Sequence, residues 1–277
     1  MPPRTILITG CSSGIGLDAA RTLAARGWRV FATCRRAEDS DRLTAEGLES
    51  FKLDLADAAS VEAGAAEALD RTGGALDALF NNGAFATPGG VEDLSRAALR
   101  EIFETNLFGQ IDLTNRVLPS MRARGSGRIV MNSSVLGFVS TPWRGAYSAT
   151  KFALEALTDA LRMELHATPI RVSLIEPGPI TTDFRRNAAR AFARHIDWQT
   201  SPHRAAYEAT LMTRLNATDG PPDRFELPPS AVTTRLIEAL ESPRPKARYF
   251  VTKPTYIADL MRRLMPTPLL DAVLRGR

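Results

Sequence analysis

A short apolar run, Ile6 to Ile8, is followed at once by the loop Thr9-Gly10-Cys11-Ser12-Ser13-Gly14-Ile15-Gly16 and then by a helical pattern. An apolar run of this kind is typical of a buried parallel strand. Glycines between a strand and a helix let the backbone approach a pyrophosphate, which the unpaired N–H groups of the helix N-terminus attract. The spacing is Gly-x3-Gly-x-Gly, for which a plain strand-to-helix turn is the alternative interpretation. The strand-loop-helix context favours a dinucleotide-binding loop.

Strand-like and helix-like segments alternate along the chain, which predicts a parallel sheet covered by helices on both faces. Two long helices are predicted over residues 96–118 and 146–166, with Pro119 and Pro169 at their ends because proline cannot continue a helix. Strands are predicted at residues 6–8, 29–34, 50–53, 76–80, 127–132, 170–175 and 248–251. We therefore expect a single α/β domain over residues 1–277, a doubly wound Rossmann-type fold with a seven-stranded, mostly parallel sheet.

The composition excludes several classes of protein. The apolar fraction of 44% and the charged fraction of 24% are those of an ordinary soluble globular protein, and no run is long enough to span a membrane. The net charge of +4 comes from the C-terminal region, where eight Lys/Arg and two Asp/Glu follow from Arg244 onward, so we expect no nucleic-acid partner. The three histidines lack metal-ligand spacing, so no metal site is expected. Only Cys11 and Cys34 occur, which favours a reducing cytoplasm.

Tyr147 and Lys151 are four residues apart in a predicted helix and so share one of its faces. A free phenol titrates near pH ~10. Because a neighbouring ammonium stabilises phenolate, we expect the pKa of Tyr147 to be lowered. Such a phenol can protonate a carbonyl oxygen or deprotonate an alcohol. The preceding strand ends in Asn132-Ser133-Ser134, and the Ser134 hydroxyl can orient the same substrate oxygen.

With these motifs in this order, the chain resembles the short-chain dehydrogenase/reductase family over about residues 5–183. The resemblance rests on the glycine loop, on the Tyr147-x3-Lys151 pair and on Ser134, thirteen positions before the tyrosine. It implies that Ser134, Tyr147 and Lys151 act as a unit. It also implies that Asn106, in the family's Asn-x2-Gly pattern, completes a proton relay through water, and that the protein forms a homo-oligomer.

The resemblance further implies contacts with a dinucleotide. Asp54 matches the acid that the family uses on the adenine, and Asn82-Gly83-Ala84 departs from the usual Asn-Ala-Gly by an exchange of its last two residues. The Ile180 backbone and the Thr182 hydroxyl would meet the nicotinamide carboxamide. The cofactor residues predicted from the loop, the second strand and the resemblance are Gly10, Ser12, Ser13, Gly14, Ile15, Gly16, Arg35, Arg36, Asp54, Leu55, Asn82, Gly83, Tyr147, Lys151, Pro177, Gly178, Ile180 and Thr182.

The end of the second strand predicts which dinucleotide is bound. An acid there would bind the ribose 2′-hydroxyl and repel a 2′-phosphate. The sequence instead reads Thr33-Cys34-Arg35-Arg36, with no acid before Glu38. Because two guanidinium groups suit a phosphate dianion, we expect NADP(H) rather than NAD(H). In a cell where NADPH is kept reduced, the favoured direction would be carbonyl reduction.

The flanking segments are most similar to the branch that contains 17β-hydroxysteroid and retinol dehydrogenase-like proteins and bacterial aldehyde reductases. Residues 135–139, with Phe85, Trp143 and Phe184, could form an apolar pocket, although for each residue taken alone a place in the core is the favoured interpretation. We expect an apolar aldehyde or ketone as substrate, with steroid, retinal and aliphatic aldehyde left open. A mainly alcohol-oxidising dehydrogenase is the alternative. A non-catalytic nucleotide-sensing protein is a remote alternative, because all four catalytic positions are filled.

Two segments depart from the alternation of strands and helices. Residues 184–229 follow a late strand, where doubly wound folds bind ligands, so we expect a substrate lid rather than a solvated helical excursion. Residues 255–277 form a basic tail, expected to be a terminal helix packed on the domain or on a subunit neighbour. Association of this tail with an anionic membrane surface is the alternative.

Overall fold

The apolar runs form one parallel sheet in the computed structural model, which describes residues 3–217 and 224–276. Its strands are β1 Thr5–Ile8, β2 Arg29–Cys34, β3 Glu49–Lys52, β4 Ala78–Asn81, β5 Gly127–Asn132, β6 Ile170–Glu176 and β7 Arg248–Phe250. They are hydrogen-bonded in the order β3-β2-β1-β4-β5-β6-β7, and every neighbouring pair is parallel. The predicted fold class is confirmed, and the predicted strand boundaries differ from the observed ones by at most two residues.

Helices connect the strands and cover both faces of the sheet. Their bounds are α1 Gly14–Ala25, α2 Ala37–Ala45, α3 Ala58–Arg71, α4 Arg96–Phe103, α5 Gly109–Arg124, α6 Gly145–Glu164, α7 Phe184–His195, α8 Arg204–Ala206, α9 Met212–Asn216, α10 Ser230–Glu241, α11 Lys253–Leu264 and α12 Thr267–Arg275. A π-helical turn, Glu104–Phe108, joins α4 to α5, and a second, Tyr207–Leu211, joins α8 to α9. Short 3-10 turns lie at Val91–Asp93 and Val135–Gly137.

The alternation of side chains along β1 divides the core into two layers. Ile6 and Ile8 pack with α1 and α10 on one face of the sheet. Leu7 packs with α3, α5 and α6 on the other face. The chain runs from β1 outward to β3 and then returns to β4 on the opposite side of β1. A ligand crevice is expected at such a reversal of strand order, beyond the carboxyl ends of β1 and β4.

The prediction that Pro119 ends a helix is wrong. Helix α5 continues through Pro119 to Arg124. Proline leaves the carbonyl four residues earlier, that of Asn115, without its helical donor. Both Asn115 and Pro119 are exposed, so water can satisfy that carbonyl, while Val117 and Met121 on the inner face stay buried. Tertiary packing of the inner face thus carries the helix past the proline.

The segment predicted as a lid contains α7, α8 and α9, and its residues 218–223 lie outside the described part of the chain. Phe192, Tyr207 and Leu211 are buried in a cluster that also contains Ile102 and Ala146. Tyr207 accepts a hydrogen bond from the Gly90 amide at 2.6 Å. The described part of this segment thus packs on the rest of the chain through these buried side chains, and its role as a lid stays a prediction.

The basic tail forms helices α11 and α12. Ala258 and Leu274 are buried against Phe138 and Val139, which agrees with a terminal helix packed on the rest of the chain. The outer face of the tail exposes apolar side chains, among them Tyr256, Ile257, Leu260, Leu264, Leu269 and Val273. Among the described residues, no helix has the length and apolar character needed to cross a membrane.

We expect Gly109→Ala to destabilise the fold because α5 begins against the loop that follows β3. A Cβ atom on Gly109 would overlap the carbonyl oxygen of Leu55. Relief requires the helix to move away from the sheet, and overpacking of this kind costs up to about 3 kcal/mol. The free energy of unfolding in urea, followed by circular dichroism, measures the loss.

Gly73→Ala is the matched control. Gly73 has a φ of 58° and no atom within 4 Å of a built Cβ, so the substitution costs only the left-handed conformation, about 1 kcal/mol. An equal loss in both variants would show that close packing is not the constraint at Gly109.

Candidate active site

The glycine loop between β1 and α1 takes a conformation that requires glycine. Gly10 and Gly14 have φ angles of 73° and 57°, and a Cβ on Gly16 would overlap the Gly10 carbonyl oxygen. Ser13 is the N-cap of α1, yet within the described chain its side chain accepts no hydrogen bond from the helix. The first N–H groups of α1 thus remain available to an anionic group, as the sequence predicts.

Asn82 joins the carboxyl ends of three strands. Its Nδ2 donates to the Thr9 and Gly10 carbonyls at 3.0 and 3.3 Å. Its Oδ1 accepts from Asn132 Nδ2 at 2.9 Å. The loop after β1, the end of β4 and the end of β5 are therefore held in fixed relative positions.

The exchange of Gly83 and Ala84 relative to the family pattern leaves a well-held turn. The Gly83 amide donates to Thr9 Oγ1 at 3.0 Å, and its carbonyl accepts from Gln110 Nε2 at 2.9 Å. A Cβ on Gly83 would stand 3.0 Å from the Leu55 side chain, closer than an ordinary contact. An alanine at this position would therefore need a small shift of the Leu55 side chain.

A cavity of about 1090 Å³ begins at this loop and extends to α6 and α7. The predicted residues that line it are Gly10, Ser12, Ser13, Gly14, Ile15, Asn82, Gly83, Ser134, Tyr147, Lys151, Pro177, Gly178, Ile180 and Thr182. The predicted residues outside that lining are Gly16, Arg35, Arg36, Asp54, Leu55 and Asn106. Gly16 packs behind the cavity wall, against the Gly10 carbonyl. Asn106 also lies behind this wall, in the π-helical turn between α4 and α5.

The arginines predicted for a 2′-phosphate lie at the surface beyond β2. Arg35 and Arg36 are exposed, and Arg36 forms an ion pair with Asp39 at 3.1 Å. Sequence reasoning missed Arg42, whose Nη2 donates to the Ser12 carbonyl at 2.7 Å. Arg42 is also paired with Glu46 at 3.0 Å, so two of the three guanidinium groups that follow β2 already have a carboxylate partner.

Lys151 is buried in α6 and held by the end of β5. Its Nζ donates to the Asn132 carbonyl at 2.6 Å and lies 5.7 Å from the centre of the Tyr147 ring. Burial lowers the pKa of Lys151 to about 8, against the opposing attraction of Glu155. The sequence spacing of the pair is thus confirmed as proximity, and the contact with Asn132 was missed.

Tyr147 is buried one turn before Lys151. Burial raises the pKa of Tyr147 to about 12, while a hydrogen bond with Ser134 and the positive charge of Arg144 pull it downward. The expectation of a lowered pKa is therefore wrong for this structure. Removal of the phenol from water outweighs the cations nearby, since desolvation disfavours the charged phenolate.

Ser134 connects β5 to the Pro-Gly segment after β6. Its Oγ accepts from the Leu136 amide at 3.1 Å and lies 3.5 Å from the Pro177 carbonyl. The Val135 amide also donates to Pro177, at 2.8 Å. The serine hydroxyl is therefore fixed beside the phenol, where both can contact one substrate oxygen.

Asn106 lies in the π-helical turn between α4 and α5 and is fully buried. Its Nδ2 donates to the Phe85 carbonyl at 2.8 Å and to Thr150 Oγ1 at 3.2 Å. Its Oδ1 accepts from the Phe85 amide at 3.0 Å. The extra residue of a π-turn re-aims side chains, and here it aims Asn106 at α6. Its place in a proton relay stays a prediction.

A cluster of buried carboxyl groups stands behind Lys151. Arg248 on β7 contacts Glu155 at 2.9 Å, Asp159 at 2.7 Å and Glu176 at 3.1 Å. Burial and the neighbouring Glu155 raise the pKa of Glu176 to about 9. Glu176 therefore carries a proton at neutral pH. Sequence reasoning missed this cluster.

In the described chain, no group of His, Cys, Asp and Glu side chains is arranged to hold a metal ion.

Glu176→Gln should remove a pH dependence of stability. The pKa of Glu176 in the folded protein, about 9, lies above its unfolded value, so its contribution is complete below pH ~4.5 and is lost as the pH rises toward 9. We expect the wild-type free energy of unfolding to fall more steeply between pH ~6 and ~8 than that of the variant. Urea titrations at several pH values measure both slopes.

Two further variants help to interpret the measured slopes. Glu238→Gln, in an ion pair with Arg235 on the surface of α10, should leave the wild-type slope unchanged. Arg248→Met, which leaves three carboxyl groups without their shared cation, should cost about 3 kcal/mol. Parallel slopes in Glu176→Gln and wild type would contradict a protonated Glu176.

The sequence and the fold both match known proteins. Residues 4–192 match the family model described as short chain dehydrogenase. An uncharacterized oxidoreductase of Escherichia coli, YbbO, is 42% identical over 99% of this chain and 94% of its own length. The NADPH-dependent 3-dehydrocapnine reductase of Ornithobacterium rhinotracheale is 30% identical over 98% of this chain and 95% of its own. A short-chain dehydrogenase structure from Streptomyces avermitilis superposes with a TM-score of 0.78 at 31% identity, covering 99% of this chain and 94% of that one.

Proposed function

This chain belongs to the short chain dehydrogenase family of oxidoreductases, and we propose that it is an NADP(H)-dependent reductase of apolar aldehydes or ketones. One observation carries the proposal. The hydroxyl groups of Tyr147 and Ser134 meet in a cavity that starts at the glycine loop. The cavity therefore offers a phosphate-binding end and a proton-donating end in one continuous space.

The residues along the cavity fit a dinucleotide. The free N–H groups of α1 and the loop serines suit a pyrophosphate. Ile180 and Thr182 would hold the nicotinamide carboxamide, and Asp54 would hold the adenine. When bound, NADPH would supply a hydride to the carbonyl carbon.

The remaining steps are performed by the chain's own side chains. Tyr147 is protonated at neutral pH, because its pKa is about 12, and it donates this proton to the carbonyl oxygen. Ser134 orients the oxygen by a hydrogen bond. Lys151, fixed on the Asn132 carbonyl, keeps a positive charge beside the phenol and stabilises the phenolate that forms. Asn106 would connect Lys151 to solvent through water and so return the proton.

Carbonyl reduction is proposed as the direction because NADP(H) is the expected cofactor, and a cell that keeps NADPH reduced favours reduction. Reduction would use the neutral phenol of Tyr147 as an acid, and oxidation of an alcohol would use its phenolate as a base. Alcohol oxidation remains the alternative, since the same groups serve both directions. A nucleotide-sensing role without catalysis is not favoured, because the four catalytic side chains are present.

NADP(H) is proposed over NAD(H) on the charges around the glycine loop. Arg35, Arg36 and Arg42 surround the end of β2, where an acid would select the unphosphorylated ribose. The name of the related NADPH-dependent 3-dehydrocapnine reductase agrees with this preference. Guanidinium groups bind phosphate by paired, charge-assisted hydrogen bonds.

The opposite end of the cavity suits an apolar substrate. Leu136, Val139, Ala188 and Leu215 line it, and the Phe184 ring packs edge-on against the Tyr147 ring at a centroid distance of 5.4 Å. Residues 184–229 would act as the substrate lid of one domain that spans residues 1–277.

We further propose that the protein is a cytoplasmic homo-oligomer. Cys11 and Cys34 are free and buried, which suits a reducing compartment. The exposed apolar face of α11 and α12 offers a surface for contact with another subunit. Binding of this basic tail to an anionic membrane is the alternative.

Tyr147→Phe should lower kcat for carbonyl reduction by about 10³-fold, the range of a lost general acid. The dissociation constant for NADPH should stay within about twofold of wild type, because the ring and its contact with Phe184 are retained. NADPH consumption and NADPH fluorescence measure the two quantities. Tyr256→Phe, on the exposed tail, is the control. Near-normal turnover in Tyr147→Phe would disprove the mechanism.

Arg35→Ala should raise the KM for NADPH about tenfold and leave that for NADH nearly unchanged, since only NADPH loses a charged hydrogen bond. Arg100→Ala, an exposed arginine on α4, is the matched control and should change neither constant. A wild-type preference for NADH that persists in Arg35→Ala would overturn the assignment of NADP(H).

A further inference from the structure

The catalytic cavity is strongly basic. Its described lining contains Lys151 and the arginines Arg21, Arg144, Arg185, Arg186 and Arg214, against the carboxyl groups of Asp18, Asp183 and Glu226. Asp183 is paired with Arg186 at 3.1 Å, Arg21 is paired with Glu46 at 2.6 Å, and Asp18 accepts a hydrogen bond from Thr233. The lining therefore has an excess of positive charge, which favours an anionic ligand over a neutral one.

Arg144 is the member of this set placed beside the proton donor. It is the N-cap residue of α6, three residues before Tyr147, and its positive charge favours the phenolate form of that side chain. A cation at a helix N-terminus is repelled by the helix dipole, so the position is unfavourable for arginine by itself. Arg185 and Arg214 add like charges from the lid.

Burial and these two arginines lower the pKa of Arg144 to about 10. Within residues 3–217 and 224–276, no carboxylate forms an ion pair with its guanidinium, whereas Arg185 donates to the Ala217 carbonyl at 3.0 Å. Arg144 is partly buried, and a partly desolvated charge without an opposite charge beside it is destabilising. Perturbed charged groups of this kind cluster at functional sites.

The backbone that presents Arg144 is strained. Trp143 has a φ of 66°, which is rare for a bulky residue. Its carbonyl accepts from the Gly89 amide at 3.0 Å, and its ring packs against His203 and Tyr207 at centroid distances of 5.0 and 5.3 Å. Strain that the surroundings hold in place is typical of functional sites. The lid thus fixes the direction from which the arginine enters the cavity.

We propose that the substrate carries an anionic group which Arg144 binds while the carbonyl faces Tyr147, a specificity that rests on the proposed reductase activity. The rest of such a substrate is apolar, because Leu136, Val139 and Leu215 line the same space. The substrate class is therefore an amphiphilic carbonyl compound with a carboxylate, sulfonate or phosphate close to its carbonyl group. Arginine binds each of these oxyanions through paired hydrogen bonds.

The test compares two aldehydes of nearly equal size, 4-carboxybenzaldehyde and methyl 4-formylbenzoate, with NADPH. We expect the wild-type kcat/KM to favour the carboxylate by about tenfold, the effect of one charged hydrogen bond. Arg144→Gln should abolish this preference, and Arg144→Lys should restore part of it. Arg190→Gln, an exposed arginine on α7, is the matched control and should keep it.

Three outcomes would overturn the proposal. The wild type could reduce the ester as well as the acid, or Arg144→Gln could keep the preference for the acid. Arg144→Gln could also raise the KM for NADPH while the preference stays, which would assign Arg144 to the cofactor.

A binding measurement separates this proposal from the reductase proposal. Calorimetry with 4-methylbenzoate and protein saturated with NADP⁺ should show binding that is lost in Arg144→Gln. If this binding occurs and neither aldehyde is reduced, the anion site stands and the reductase proposal fails. If the aldehydes are reduced and 4-methylbenzoate does not bind, the anion site is disproved.

Discussion

The bond between the Lys151 ammonium and the Asn132 carbonyl is the contact on which the rest of the site depends. At 2.6 Å it fixes α6 against the end of β5, and so places Tyr147 over the carboxyl edge of the sheet. The ammonium is fully removed from water, which is costly unless charges of opposite sign stand close by. Glu155, one turn further along α6, supplies that charge. Arg248 then balances Glu155 with two further carboxyl groups. A single buried cation thereby determines a network that reaches from β5 to β7.

The sequence predicts the sheet well because a buried parallel strand leaves a local signature. Each apolar run of the sheet is short and continuous along the sequence. Each glycine of the first loop occupies a backbone conformation or a gap that only glycine fits. Pro119 shows where local rules fail, since the buried inner face of α5 outweighs the lost hydrogen bond. The prediction of a lowered pKa for Tyr147 fails for a related reason. Spacing places Lys151 near the phenol, but burial, which decides the direction of the shift, depends on the packing of the whole fold.

Other parts of the site could not be found from sequence because their partners are far apart along the chain. Arg248 meets Glu176 across 72 positions and Glu155 across 93. Neither carboxyl group carries a recognisable motif that would suggest the pairing. Arg144 presents the same difficulty in another form. A lone arginine before a helix is usually a solvated residue, and only the folded chain shows that Arg144 lines the same cavity as Arg185 and Arg214.

Burial shifts the pKa values of Tyr147 and Lys151 in opposite directions, because it disfavours the charged form of each side chain. The pKa of Tyr147 is raised to about 12, so the phenol holds its proton throughout the physiological range. The pKa of Lys151 is lowered to about 8, so the ammonium remains mostly charged at neutral pH. A neutral phenol therefore lies beside a cation, which would stabilise the phenolate left after proton donation. Above pH ~8 the buried amine becomes uncharged, and this stabilisation would be lost. The desolvation of Lys151 thus limits the pH range in which a charged ammonium accompanies the phenol.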